Sequence, residues 1–301
     1  MSEKKHSKKQ RNFLKHNRKM EKITEKAHAK INLTLTVGKK RKDGYHEIDT
    51  IMHSIDLHDT ITLEKSENLK LTVEEGKAPE KEENLMWKTA EEFYKKIKEK
   101  PQVHMKLYKR IPAQAGLGGG SADAAAVLRG LNKLTKANLT KEELCEIGVK
   151  YGADIPFCIY EGSARCRGIG EKIKQIKKYE NIPLIIVQSE TTISTKEAYE
   201  EIDKSGKRNI NKNETVIQAI EERNIKKLKE KIYNDFEKAL FEKNKELKEI
   251  KTELKKISET VQMSGSGSAF FIICEKEEQE KIMKKLKETK KFKFIQKATT
   301  I

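Results

Sequence analysis

Between Pro112 and Asn132 the chain reads PAQAGLGGGSADAAAVLRGLN, in which Gly116, Gly118, Gly119, Gly120 and Ser121 run straight into an alanine-rich stretch. Glycines without Cβ atoms let a ligand approach the backbone. The amides of Gly118, Gly119, Gly120, Ser121 and Ala122 fall at the start of a helical pattern, where free N–H groups and the helix dipole favour an anion. Ser121 is placed to cap that helix or to offer its hydroxyl to a phosphate or its metal. The same glycines would also suit close packing of a strand on a helix, so two readings stand at this point. Three others fail. A flexible linker needs unstructured polar flanks, whereas a strand pattern precedes this segment and a packed helix follows. A Walker A loop needs a lysine after its last glycine, and the dinucleotide fingerprint needs a third glycine where Ser121 stands.

Other residues have the chemistry but not the context. Asp154, in YGADIPF, precedes Pro156, which is expected to block helix continuation and expose a turn. A carboxylate there is a candidate proton acceptor, although an Asx turn or a cap is the commoner use. Lys30 lies on a strand pattern, where a lone lysine is ordinarily solvated. Tyr45 and His46 follow Asp43-Gly44, a hairpin-turn signal. SGSGS, residues 264–268, sits between two apolar strand patterns and reads equally as a simple turn.

Those residues need elements to hold them. AKINLTLTVG alternates, with Ile31, Leu33, Leu35 and Val37 on one expected face and Asn32, Thr34 and Thr36 opposite. SIDLHDTITLE, LKLTV and VHMKLYKRI read as further strands, and residues 84–99 have helical spacing. After the glycine loop, Val127, Leu128, Leu131 and Leu134 share a helical face. A second helix is expected over about 141–151, and residues 151–173 read as turns mixed with short strands. Beyond about residue 175 the pattern becomes PLIIVQS as a strand, Lys/Glu-rich helices over 196–257, strand–turn–strand through MSGSGSAFFIIC, then a closing helix and strand. Early strands followed by mixed elements imply an α+β fold in two lobes, 23–175 and 176–301.

Composition bounds the function. The 301 residues carry a net charge of +17. Residues 1–22 hold nine Lys/Arg against two Glu, so +7 of that charge belongs to what reads as a disordered basic tail, with Met20 an alternative start. Elsewhere Lys and Glu alternate as on solvated helix faces, and aromatics at 6% offer no base-stacking platform, which argues against a specific nucleic-acid partner. Cys145, Cys158, Cys166 and Cys274 have neither metal-ligand nor redox spacing and read as reduced thiols. The longest apolar runs, LIIV and AFFIIC, are too short for a bilayer, and no secretory pattern opens the chain, so a cytoplasmic protein without a membrane partner is expected.

Four ordered segments carry a resemblance. PAQAGLGGGSADAA resembles the phosphate-binding loop of the GHMP kinases, and MSGSGSAFF their C-terminal glycine motif. AKINLTLTVGKKRKDGYHEIDT and GADIPFCI are similar to segments of the branch that phosphorylates a cytidine diphosphate-linked methylerythritol. The resemblance covers about residues 27–274. It implies a two-lobed GHMP kinase fold, with an N-terminal lobe like ribosomal S5 domain 2 and a ferredoxin-like α/β C-terminal lobe. It also implies ATP and Mg²⁺, and transfer of phosphate to the substrate's 2-hydroxyl in non-mevalonate isoprenoid precursor synthesis. ATP would lie on Pro112, Ala113, Gln114, Ala115, Gly116, Leu117, Gly118, Gly119, Gly120, Ser121 and Ala122, with Ser121 the candidate Mg²⁺ contact. Asp154 would be the general base and Lys30 its electrostatic partner. Tyr45 would stack on cytosine, His46 would bond its edge, Tyr199 would give a second aromatic face, and Asn32, Gly265 and Gly267 would complete the substrate contacts.

Overall fold

The computed structural model describes residues 22–206 and 211–301. The expected basic tail and the alternative start at Met20 therefore lie outside the described residues, apart from Lys22. In chain order the strands are β1 (Lys22–Lys40), β2 (His46–Lys65), β3 (Lys70–Glu75), β4 (Val103–Tyr108), β5 (Ser163–Gly168), β6 (Lys172–Gln175), β7 (Pro183–Ser189), β8 (Tyr233–Asn234), β9 (Val261–Met263), β10 (Phe270–Ile273) and β11 (Phe292–Thr299). The helices are α1 (Leu85–Lys96), α2 (Gly119–Thr135), α3 (Lys141–Gly148), α4 (Ile155–Tyr160), α5 (Thr195–Ser205), α6 (Asn213–Glu221), α7 (Ile225–Lys231), α8 (Asp235–Lys243), α9 (Lys245–Ile257) and α10 (Gln279–Glu288).

The first sheet runs β3-β4-β2-β1-β8, with β5 pairing β2 and β6 pairing β5. The second runs β11-β7-β10-β9, the fourth strand beside the first, then the third and second, as a ferredoxin-like sheet requires. β1 and β2 form a long antiparallel hairpin whose turn carries Tyr45. Its ladder shifts register between His28 and Lys30 and again between Asn32 and Thr34. Such irregularities re-aim side chains, and they bracket Lys30.

The four apolar residues of the β1 pattern are all buried, yet they feed two cores. Ile31 and Leu33 join the core under α1 and α2, whereas Leu35 and Val37 join Phe236, Met263 and Phe270 in the core of the second sheet. Asn32 and Thr34, expected on an open face, are buried as well. Asn32 is enclosed by Lys30 and Thr50, and Thr34 is covered because the chain returns: its backbone pairs with Tyr233 of β8, and its hydroxyl donates to Asn213 of α6. Residues 213–234 thus sit on the first sheet although they follow β7 in sequence.

Two local expectations need correction. Residues 155–160 form helix α4 rather than turns and strands, because Pro156 stands in the first helical turn, where its missing N–H is not needed and its fixed φ suits the helix. Ser121 does not cap α2. Gly118 is the N-cap, in a left-handed conformation (φ 70°, ψ 20°), and the helix already includes Gly119 and Gly120. Among the described residues no helix is long and apolar enough to cross a membrane.

Candidate active site

The glycine segment bridges β4 and α2 and is fastened on both sides before any ligand arrives. On the first-lobe side the Lys30 amide donates to Leu117 O at 3.0 Å. On the other, Ser264 Oγ donates to Gly116 O at 2.9 Å and the Ala269 amide to Ala115 O at 3.2 Å. Gln188 Nε2 adds a bond to Ala113 O at 3.2 Å. The approach of the two glycine motifs leaves no room for a side chain: a Cβ on Gly116 would lie 2.1 Å from Ser264 O. Asn234 Nδ2 then ties Met263 O and Gly265 O, at 2.9 and 2.8 Å, so the second motif is itself braced from β8.

These contacts border a cleft of about 680 Å³ between the lobes. It is lined by Pro112 through Ser121, by Lys30, Asn32, Tyr45, Asp154 and Tyr199, and by Gly265, Ser266 and Gly267. Gly118 has no side chain with which to cap α2, and the first-turn amides of a helix have no acceptors within it. The loop therefore presents unpaired backbone donors to the cleft where an anion would be held.

Lys30 is buried rather than solvated, at 4% exposure. Its Nζ donates to Asn32 Oδ1 at 2.7 Å and lies 3.5 Å from Asp154 Oδ2. Asn32 is held in turn by its Nδ2 bond to Thr50 Oγ1 at 2.8 Å. The aliphatic stem of Lys30 runs under Gly118, where a Cβ would lie 3.0 Å from Cγ. Asp154 stands at the N-cap position of α4 but makes no capping bond, so its carboxylate is not spent on the helix. It is about 30% exposed and faces the cleft. A half-buried carboxylate beside a buried ammonium, next to a set of anion-binding amides, can accept a proton from a hydroxyl presented there.

At the hairpin end, Tyr45 is 59% exposed and borders the cleft. His46 is buried: Nε2 donates to Asp203 Oδ1 at 2.7 Å, and the ring stacks on Tyr199 at 4.8 Å. Tyr199 packs edge-on against Phe236 at 5.0 Å. His46 thus stands behind Tyr199, and its ring is not among the groups that line the cleft. Thr195 and Ser266 hydroxyls meet across the cleft margin at 3.2 Å.

Several participants were not legible in the sequence. Asp203 is tied to His46 only through the approach of α5 to the hairpin. Lys77–Pro79 and Glu83–Leu85, with Lys109 and Asp123, line the cleft beside the glycine loop. Lys109 follows a strand and Asp123 lies in an alanine-rich helix, and neither spacing shows that they meet. Burial pushes the Cys158 and Cys166 thiols up, which keeps them protonated and unreactive.

Comparison with known proteins places this geometry. Residues 84–162 match the family model described as GHMP kinases N terminal domain, and residues 216–291 match that described as GHMP kinases C terminal. A 4-diphosphocytidyl-2-C-methyl-D-erythritol kinase from Thermoanaerobacter pseudethanolicus is 44% identical over 280 residues, covering 92% of this chain and 96% of the relative. One of the same name from Clostridium tetani is 40% identical over 248 residues, covering 82% and 89%. A crystal structure of 4-(cytidine 5'-diphospho)-2C-methyl-D-erythritol kinase superposes with a TM-score of 0.79 at 29% identity, covering 92% of this chain and 99% of that one. A homoserine kinase from Cytophaga hutchinsonii shares the fold, with a TM-score of 0.72 at 15% identity and coverage of 93% and 95%. The chain belongs to the GHMP kinases, among relatives that carry the name 4-diphosphocytidyl-2-C-methyl-D-erythritol kinase.

Proposed function

We infer that the protein is an ATP-dependent kinase that phosphorylates the 2-hydroxyl of 4-diphosphocytidyl-2-C-methyl-D-erythritol. The observation that carries the chemistry is the Lys30–Asp154 pair at 3.5 Å beside a preformed glycine loop. The identity of the acceptor rests on the relatives' name and on Tyr45 and Tyr199 at the far end of the same cleft, the latter backed by His46.

Phosphoryl transfer asks the protein mainly for alignment and charge. The backbone of the glycine loop holds the ATP phosphates through the amides of Gly119, Gly120 and Ser121 at the start of α2, whereas the Ala122 amide is already bonded to Gly118 O at 2.8 Å and is not one of these donors. Asp154 takes the proton of the attacking hydroxyl, and Lys30, 3.5 Å from that carboxylate, offsets charge developing on the acceptor oxygen. Asn32 fixes Lys30 by accepting one of its protons. Tyr45 and Tyr199 supply apolar faces for the cytosine ring, and His46, held by Asp203 and stacked on Tyr199, fixes the Tyr199 ring from behind. Gly265 and Gly267 leave space for substrate between the lobes.

Among the described residues no group of three or more His, Cys, Asp or Glu could hold a metal. Mg²⁺ needs no such cage, since it keeps several waters and takes few protein oxygens beside phosphate ligands. The Ser121 hydroxyl is the loop side chain that would contact it. When bound, the ion would supply positive charge that offsets that of the phosphates.

The deciding experiment is ADP release against a panel of acceptors: diphosphocytidyl-methylerythritol, mevalonate, homoserine and galactose. The first is expected to turn over best. Faster turnover of any other would overturn the acceptor assignment while leaving the kinase reading intact.

A further inference from the structure

The glycine loop lacks the lysine that a Walker A loop carries, yet one is buried beneath it. Lys109 follows β4 and is about 10% exposed. A Cβ on Gly119 would lie 2.9 Å from its Nζ, so the ammonium sits directly against the first turn of α2. Two carboxylates clamp it. Asp59, on β2 and fully buried, bonds Nζ through Oδ2, while its Oδ1 accepts the Arg110 and Ile111 amides. Asp123, from the second turn of α2, accepts from Nζ at 2.8 Å through Oδ2. Its other oxygen, Oδ1, is buried without a hydrogen-bond partner. Three elements converge on one ammonium: β2, the strand end that enters the loop, and the helix that leaves it. Both Lys109 and Asp123 border the cleft.

We propose that Lys109 is a positioning residue for the nucleotide: clamped by Asp59 and Asp123 under Gly119, it fixes the phosphate-binding turn and sets ATP affinity more than the rate of transfer. The inference rests on the reading of the cleft as an ATP site. An unclamped loop could still fold, but its amides would no longer be aimed by a shared ion pair, and the positive charge behind the phosphates would be lost.

The test is calorimetric titration of the full chain with ATP, alongside thermal melts and steady-state kinetics. Lys109→Met should weaken ATP binding about tenfold or more, the scale of one unbalanced charge at a partly buried site. Its kcat at saturating ATP should fall less, and Lys109→Arg should recover part of the loss. A Lys109→Met protein that melts like the wild type and binds ATP equally well would overturn the inference, as would a folded Lys109→Arg protein whose kcat falls more than its ATP affinity. Absence of any ATP binding by the wild type would instead refute the underlying reading of the cleft.

Discussion

Gly116→Ala is the substitution whose cost the structure sets most directly. Gly116 has φ +70°, and a Cβ there would lie 2.1 Å from Ser264 O and 3.1 Å from the Gly267 nitrogen. The left-handed backbone alone costs an alanine about 1–2 kcal/mol. Bringing the carbonyl contact back to van der Waals distance requires about 1 Å of movement between two backbone segments, and overpacking of this kind costs a further 1–3 kcal/mol, roughly. A total near 2–5 kcal/mol would lower the melting temperature by about 3–8 °C for a chain of this size. The displacement falls on the loop that holds the nucleotide, where about 1 Å of misplacement is worth roughly 10²-fold in rate. The assay pairs thermal melts with kcat/KM for ATP. Gly206→Ala is the control, since φ there is +62° but nothing lies within 4 Å of the new Cβ. It should show the backbone strain of about 1–2 kcal/mol without the overlap. A Gly116→Ala protein matching the control in stability and the wild type in kcat/KM would refute the close docking of the two glycine motifs.

Three further outcomes follow from the site and the core. Asp154→Asn should lower kcat by about 10²–10⁴ with an unchanged melting curve, because the carboxylate caps no helix and bonds nothing but Lys30; undiminished turnover would exclude it as the base. His46→Ala should raise KM for the cytidyl substrate with little change for ATP, and equal weakening of both would contradict a role at the base. Burial holds the His53 imidazole down at about 4, so the unfolded chain takes up a proton that the folded one refuses as pH falls from about 6.5 to 4. Urea titrations should show about 3 kcal/mol of stability lost over that window beyond the loss in His53→Gln, and parallel losses in both proteins would remove the assignment.

The order of elements and both glycine motifs were legible because alternation, helical spacing and glycine clusters are local signals. The two lobes and the ferredoxin-like second sheet followed from that order together with the family resemblance. The burial of Lys30 was not legible. A strict alternation through AKINLTLTV cannot reveal that the ladder slips on either side of Lys30, that Asn32 is enclosed by Lys30 and Thr50, or that Thr34 is covered by Asn213. The helix at 155–160 was hidden by Pro156, which stops a helix from within but opens one at its first turn. Asp59, Lys109 and Asp123 carried no signal at all, since their meeting depends on three elements converging in space.

The return of residues 213–234 to the first sheet has a consequence for how the chain is made. The hydroxyl of Thr34 meets Asn213, 179 residues further on, and the outer strand beside Thr34 and Leu35 of β1 comes from Tyr233 and Asn234. During synthesis the hairpin, the glycine loop and α2 all emerge from the ribosome well before that edge can close. Until then β1 offers an open ladder to any other strand nearby, the condition under which nascent chains pair wrongly or aggregate. A gene split after β6 would therefore not yield an independent first half. Its product should remain aggregation-prone until the second half is supplied, and separately expressed halves should become soluble together rather than apart.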